Sequence, residues 1–210
     1  MKIYQYENHE EYEKIQTEGN VKKLKSCYVD RNSLVFVIDY LFEELGSRPK
    51  FVLCHGTRGG FEQKYFVERF DELGLGPEVI GTEISHTATQ FPNTIQWDFH
   101  EVKEEWLGNT DIIYSNSFDH TYKPRKLLET WMSCLSEDGV LIIEYSPVFD
   151  QNSTKLDPLG ATMEEYTEFI SEKFDIISIL DNTEVVEEKH KHLQDNRFFI
   201  LIKNRLVPKN

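Results

Sequence analysis

The chain has 210 residues and a mass of 24.8 kDa, a size that suits one α/β domain with short appendages. Hydrophobic residues make up 39% and aromatics 13%, enough for a full core, so the 29% of charged residues belongs on a solvated surface. Lys and Arg total 23 against 37 Asp and Glu, a net charge of −14 with no basic tract, which disfavours a nucleic-acid partner because binding to a phosphate backbone runs on cationic contacts.

The opening stretch, M-K-I-Y-Q-Y-E-N-H-E, has no apolar segment of the signal-peptide kind, and no apolar run reaches membrane-spanning length. A membrane partner is therefore not expected. Residues 1–30 are polar and aromatic by turns, with a short helix expected over His9–Glu18. Asn32 or Ser33 is expected to cap the next helix, where Leu34, Val35, Ile38, Leu41, Phe42 and Leu45 give an apolar stripe. Gly46 ends that helix and Pro49 prevents its return. Residues 1–48 thus read as a helical lid or cap over one end of the main α/β unit, residues 49–210.

That unit begins with K-F-V-L-C-H-G-T-R-G-G, Lys50 to Gly60. An apolar run (Phe51 to Cys54) stops at Gly56, a glycine-rich turn follows, and Phe61, Tyr65 and Phe66 then recur at helical spacing. Strand, glycine turn and helix in that order make a place for a nucleotide-like ligand: glycine permits close backbone approach, and the helix start offers unpaired N–H groups. The helix runs to about Leu73. A second strand is expected from Glu78 to Thr82, ending in Glu83, and a third in T-I-Q-W-D-F-H, ending in Asp98. A fourth spans Asp111–Ser115 and opens at Asn116. A helix over Pro124–Leu135 leads through Ser136–Gly139 into a fifth strand, V-L-I-I-E-Y. Beyond Tyr145 lies a loop to Ala161, then the capping box Thr162-x-x-Glu165 of a helix through Lys173. Two last apolar runs, Phe174–Leu180 and Phe198–Ile202, are expected to pair antiparallel at one sheet edge. The charged stretch between them carries His190 and His192.

Strands buried on both faces and alternating with helices mean right-handed βαβ units and a mostly parallel sheet. In such sheets ligands sit at the carboxyl ends of the strands, near the switch in strand order. The polar residues fall there: Gly56 to Gly60 after the first strand, Glu83 after the second, Asp98 after the third, Asn116 after the fourth. A carboxylate after the second strand can accept two hydrogen bonds from a ribose diol, and one after the third can accept an adenine amino proton.

With these residues in place, the chain resembles the class I S-adenosylmethionine-dependent methyltransferases, specifically the small single-domain group near methyltransferase domain 11. The likeness runs from about Pro49 to Tyr145, through V-L-C-H-G-T-R-G-G, I-G-T-E, Q-W-D-F-H, Y-S-N-S-F-D-H and L-L-E-T-W-M-S-C-L-S-E-D-G-V-L-I-I-E. The resemblance implies a Rossmann-like, doubly wound, mostly parallel seven-stranded sheet whose last strand inserts antiparallel, with helices on both faces. It implies S-adenosylmethionine as cofactor, S-adenosylhomocysteine as product and a small-molecule acceptor. Gly56, Thr57, Arg58, Gly59 and Gly60 would hold the methionine part, Glu83 and Ile84 the ribose, Asp98 and Phe99 the adenine, and Asn116 and Ser117 would lie beside the amino group.

Two departures stand out: the family usually has an acid where Cys54 stands and a glycine where Arg58 stands. Arg58 either grips the cofactor carboxylate, as a guanidinium can, or faces solvent. His120, next to Asp119, is the best-placed candidate catalytic base for a hydroxyl acceptor; the alternative is a helix-start histidine bonded to backbone. No metal site is expected: Asp98 with His100 lacks further ligands. Cys27, Cys54 and Cys134, odd in number and far apart, read as reduced thiols of a cytoplasmic protein. A non-catalytic binding module of the same fold, or a nicotinamide oxidoreductase, is the alternative. The latter would need a Tyr-x-x-x-Lys pair, which Tyr122 and Lys126 match only in spacing.

Overall fold

A computed structural model describes residues 1–148, 150–186 and 197–205. A two-residue strand β1 (Lys2–Ile3) precedes α1 (His9–Lys22) and α2 (Arg31–Glu43). Then come β2 (Phe51–His55), α3 (Phe61–Glu72), β3 (Glu78–Glu83), β4 (Thr94–Gln96) and β5 (Thr110–Ser115). The chain continues through α4 (Pro124–Cys134), β6 (Leu135–Tyr145), β7 (Leu159–Gly160), α5 (Met163–Ser171), β8 (Asp175–Asp181) and β9 (Phe198–Lys203). The seven long strands form one sheet in the order β4-β3-β2-β5-β6-β9-β8. β2 pairs parallel with both β3 and β5, β3 with β4, and β5 with β6; β9 alone runs against the rest. The terminal pair is antiparallel at one sheet edge as expected, with the last strand, β9, inserted between β6 and the edge strand β8. His190 and His192 lie outside the described residues.

Alternate residues of the central strands feed two cores, as side chains of a strand point to opposite faces. Leu53, Ile113, Leu141 and Ile143 pack with Leu127, Leu128 and Trp131 of α4 and Tyr166 and Ile170 of α5. Val52, Cys54, Ile112, Tyr114 and Ile142 pack on the other face with Leu34, Val37, Ile38 and Leu41 of α2 and Phe66 and Phe70 of α3. α2 is thus a layer of the core, and within residues 1–48 it is α1 that covers the carboxyl rim of the sheet. α1 is also longer than its expected span, ending at Lys22.

Local chemistry sets several boundaries differently from the sequence reading. The cap of α2 is Asp30, whose carboxylate accepts from the Ser33 N–H at 3.0 Å, not Asn32 or Ser33. β4 stops at Gln96, so Asp98 lies in the following turn, not at a strand end. β7 pairs with β1, which pins the loop after Tyr145 against the N-terminal segment. No helix among the described residues is long and apolar enough to cross a membrane.

Candidate functional site

β2 and β5 are neighbours at the point where strand order reverses, so the loops after His55 and Ser115 flank the crevice where such sheets hold ligands. Gly56 has φ of +75°, and a Cβ there would lie 2.7 Å from the Ser117 Cβ. The bend therefore requires glycine on both conformational and steric grounds. Arg58 follows with φ of +40°, an uncommon value for a residue with a side chain. Its N–H donates to the Glu83 carboxylate at 3.1 Å, while its Nε donates to Asn20 Oδ1 at 2.6 Å. The guanidinium lies 5.0 Å from the centre of the Tyr28 ring, so it is held inward by α1 and the segment after it. Glu83 is 4% exposed and also accepts from the Ser85 N–H at 3.0 Å.

Two adjoining cavities open along this rim. The first, about 50 Å³, is walled by Glu83, Ile84, Trp97 and Phe99 and roofed by Tyr12, Gln16 and Asn20 of α1. The second, about 220 Å³, takes in Thr57, Gly59, Glu62, Asn116, Asp119 and Asp157. Lys23, Gly56, Arg58, Ser117 and His120 border both. Of the residues expected at a cofactor, Gly56, Thr57, Arg58, Gly59, Glu83, Ile84, Phe99, Asn116 and Ser117 line one cavity or both. Gly60 serves instead as the left-handed N-cap of α3.

Asp98 is placed differently. Its Oδ1 accepts from the His100 N–H at 2.9 Å and meets His100 Nδ1 at 2.8 Å, and Oδ2 lies 3.2 Å from His9 Nε2. Burial works against its ionisation, but the bonds from His100 outweigh it and hold the carboxyl below the usual range. Asp98 lines neither cavity. His55 is buried, bonds Thr82 Oγ1 at 2.8 Å and stacks on Trp131; burial pushes it down to about 3. Tyr122 and Lys126 have separate partners, His9 and Glu101.

Glu62 escaped the sequence reading. It is 6% exposed, its Oε2 has no hydrogen-bond partner, and burial raises its carboxyl to about 8. The available signal was its spacing: Glu62, Phe66 and Phe70 stand at i, i+4 and i+8, on one buried helix face. Glu62 lies close enough to Cys54 for its charge to bear on that thiol, near the position where the sequence lacks an acid.

Asp119 is 5% exposed and carries an Oδ1 with no hydrogen-bond partner. Burial, then the charge of Asp157, raises it to about 8. His120 places Nδ1 2.9 Å from Gln16 Oε1 and Nε2 3.5 Å from Asp157 Oδ1. Burial lowers it to about 4, although a quarter of its side chain still meets the cavities. It is thus held by a side chain of α1, not by backbone at a helix start.

Solved structures share this architecture. The 1,6-didemethyltoxoflavin-N1-methyltransferase of Burkholderia thailandensis, crystallised with 1,6-didemethyltoxoflavin and S-adenosylhomocysteine, superposes with a TM-score of 0.70 over 97% of this chain and 93% of its own. The geranyl diphosphate C-methyltransferase of Streptomyces coelicolor A3(2), with Mg2+, geranyl diphosphate and S-adenosylhomocysteine, gives 0.62 over 93% and 98%. The chain has the class I methyltransferase fold. Identities of 14% and 13% carry the likeness no further than fold. The same methyltransferase fold includes the [4+2]-cyclase SpnF, at TM-score 0.57, 12% identity and coverage of 81% and 80%. No family model and no curated protein matches the chain. In this methyltransferase fold the glycine bend and the ends of β3 and β5 face one crevice.

Proposed function

We propose that the chain is an S-adenosylmethionine-dependent methyltransferase acting on a small-molecule acceptor. The observation that carries the reading is the convergence of the Gly56 bend, Glu83 and the Asn116–Ser117 turn on two adjoining cavities. The residues present fit the cofactor. Glu83, with Ile84, Trp97 and Phe99 around it, offers a carboxylate inside an apolar and aromatic wall for a nucleoside. The unpaired Glu62 oxygen supplies the counter-charge for an ammonium that Cys54 lacks, and Arg58 faces the same space with a guanidinium for a carboxylate. Asp98 is left out of this set because its Oδ1 is taken by His100 and it lines neither cavity.

When bound, the cofactor supplies a sulfonium-borne methyl group for in-line displacement, and the chemical driving force is its own. The protein's part is alignment and exclusion of water. Tyr12, Gln16 and Asn20 roof a first cavity far smaller than the several hundred Å³ of ordinary ligand sites, so α1 opens to admit a nucleoside and closes over it. Asp119 and His120 are assigned to the acceptor side, at the edge of the second cavity.

A non-catalytic module, or one running another reaction on this fold, is the second reading, favoured by the engagement of Asp98. Calorimetric titration with S-adenosylhomocysteine and NADH, followed by a radiolabelled methyl-transfer screen over extract fractions, separates the readings. Micromolar binding of S-adenosylhomocysteine and none of NADH is expected. Glu83→Ala should weaken that binding at least tenfold and also lower stability by about 1–3 kcal/mol, because it unpairs one buried N–H group, of Ser85, and one half-buried, of Arg58. A folded protein that ignores S-adenosylhomocysteine at millimolar concentration ends the reading; binding without transfer to any fraction leaves the module.

A further inference from the structure

Asp119 and His120 follow β5, whereas Asp157 comes from the loop before β7, yet all three meet at the second cavity. One ligand atom from each lies within 4.8 Å of the others. The hydrogen bonds around His120 fix its tautomer. Gln16 Nε2 donates to the Leu156 carbonyl at 2.9 Å, so Gln16 presents its oxygen to His120 Nδ1 at 2.9 Å. Nδ1 must then carry the proton, and Nε2 turns a lone pair toward Asp157 Oδ1 at 3.5 Å and Asp119 Oδ1 at 3.9 Å.

With both acids ionised, three acceptors face one another. Thr154 bonds the other Asp157 oxygen, Oδ2, at 3.3 Å, and Asp119 Oδ1 is buried with no donor. Lys23 and Arg58 border the cavity, but among the described residues neither forms an ion pair with these acids. Converging lone pairs of this kind repel unless a proton or a metal cation lies among them.

The geometry points to a divalent transition-metal site formed by Asp119, His120 and Asp157. Ligands at about 2.1 Å from a tetrahedral ion stand roughly 3.4 Å apart, near the separations His120 Nε2 makes with the two acids. One imidazole and two carboxylates suit Zn2+, Mn2+ or Fe2+ better than Mg2+ or Ca2+. The Gln16 bond to Nδ1 is the outer support that metal-bound histidines ordinarily have. With three protein ligands, the ion keeps a coordination position toward the second cavity. Resting on the methyltransferase reading, that position names the acceptor class: a small molecule with a hydroxyl or enol oxygen able to ligate the ion and lose its proton there. The cation then lowers the acceptor's pKa so that its proton passes to solvent water, and His120, its Nε2 lone pair bound, is no longer the base.

The test needs no cofactor. Protein stripped with chelator and desalted is titrated with Zn2+, Mn2+ and Mg2+ by calorimetry, and with Co2+ by visible absorption. One equivalent of Zn2+ at micromolar affinity or better is expected, with Mg2+ at least a hundredfold weaker and Co2+ giving bands of low coordination number. Asp157→Asn, at the loop, should weaken Zn2+ at least tenfold, as should Asp119→Asn. Asp98→Asn, which alters the neighbouring His9–Asp98–His100 group instead, should leave it unchanged. Saturable binding that survives both Asp157→Asn and Asp119→Asn, or no stoichiometric binding at all, overturns the site. S-adenosylhomocysteine titrated into the same samples reports on the cofactor reading separately.

Discussion

Glu62 sits in the first turn of α3 with one carboxylate oxygen unbonded, so ionising it places a charge where little water reaches. Its folded value of about 8 lies above the ordinary 4.5. The folded state therefore binds this proton more tightly than the unfolded chain. The stabilisation is fully present below about pH 4.5 and is lost as pH rises through about 8. At about 1.4 kcal/mol per unit, relaxation of the site leaves an effect of a few kcal/mol. Glu62→Gln should remove it: the stability difference between variant and parent, from urea unfolding, shifts toward the variant by a few kcal/mol between pH 5 and pH 8.5. An equal difference at both values would mean that Glu62 titrates as a solvated acid. If the carboxylate is the counter-ion of a bound ammonium, S-adenosylhomocysteine binding at pH 7 should release about one proton, read from the buffer dependence of the heat, and Glu62→Gln should abolish the release.

At the scale of elements, one buried network ties four parts of the chain together. Arg197, leading into β9, donates to Glu144 of β6 at 2.8 Å and to the Tyr28 carbonyl at 3.0 Å, and Tyr114 of β5 donates to the other Glu144 oxygen at 2.5 Å. Both charged side chains are under 5% exposed. Removing one member of such a pair strands the other, at a cost of about 3–5 kcal/mol. Arg197→Met should lose that much in chemical unfolding, and Glu144→Gln in the same background should recover part of it; no recovery would show that packing, not charge, holds β9. None of this was readable beforehand, because the partners are far apart in sequence. What was readable were features written locally: apolar runs of strand length, the glycine bend, the capping box of α5. The cap of α2 was misplaced because Asp30 precedes two equally good cap residues. The expected end of the third strand at Asp98 overran because β4 is an edge strand of three residues, whose apolar signal ran past the end of its pairing. Glu62 was hidden among aromatic neighbours, and Asp157 meets Asp119 only through the fold of the loop before β7.

For the molecule as a whole, the question is whether residues 1–48 are an appendage. Leu34, Val37, Ile38 and Leu41 of α2 are all fully buried against the sheet. At about 1.5–3 kcal/mol for each side chain removed from water, α2 contributes on the order of 6–12 kcal/mol. That is as large as the whole stability of an ordinary domain, about 5–15 kcal/mol. α1 differs: Tyr12 is its one apolar side chain among the fully buried core residues, and the rest of its inward face meets the cavities. A chain beginning at Pro49 should therefore fail to show a cooperative thermal transition or a dispersed amide spectrum. One beginning at Cys27 should keep both, melting several degrees lower, and bind S-adenosylhomocysteine at least tenfold more weakly because its roof is gone. If the chain from Pro49 folds cooperatively, α2 is dispensable cover and the two cores are not one unit. If the chain from Cys27 binds as tightly as the intact protein, α1 does not close over the site.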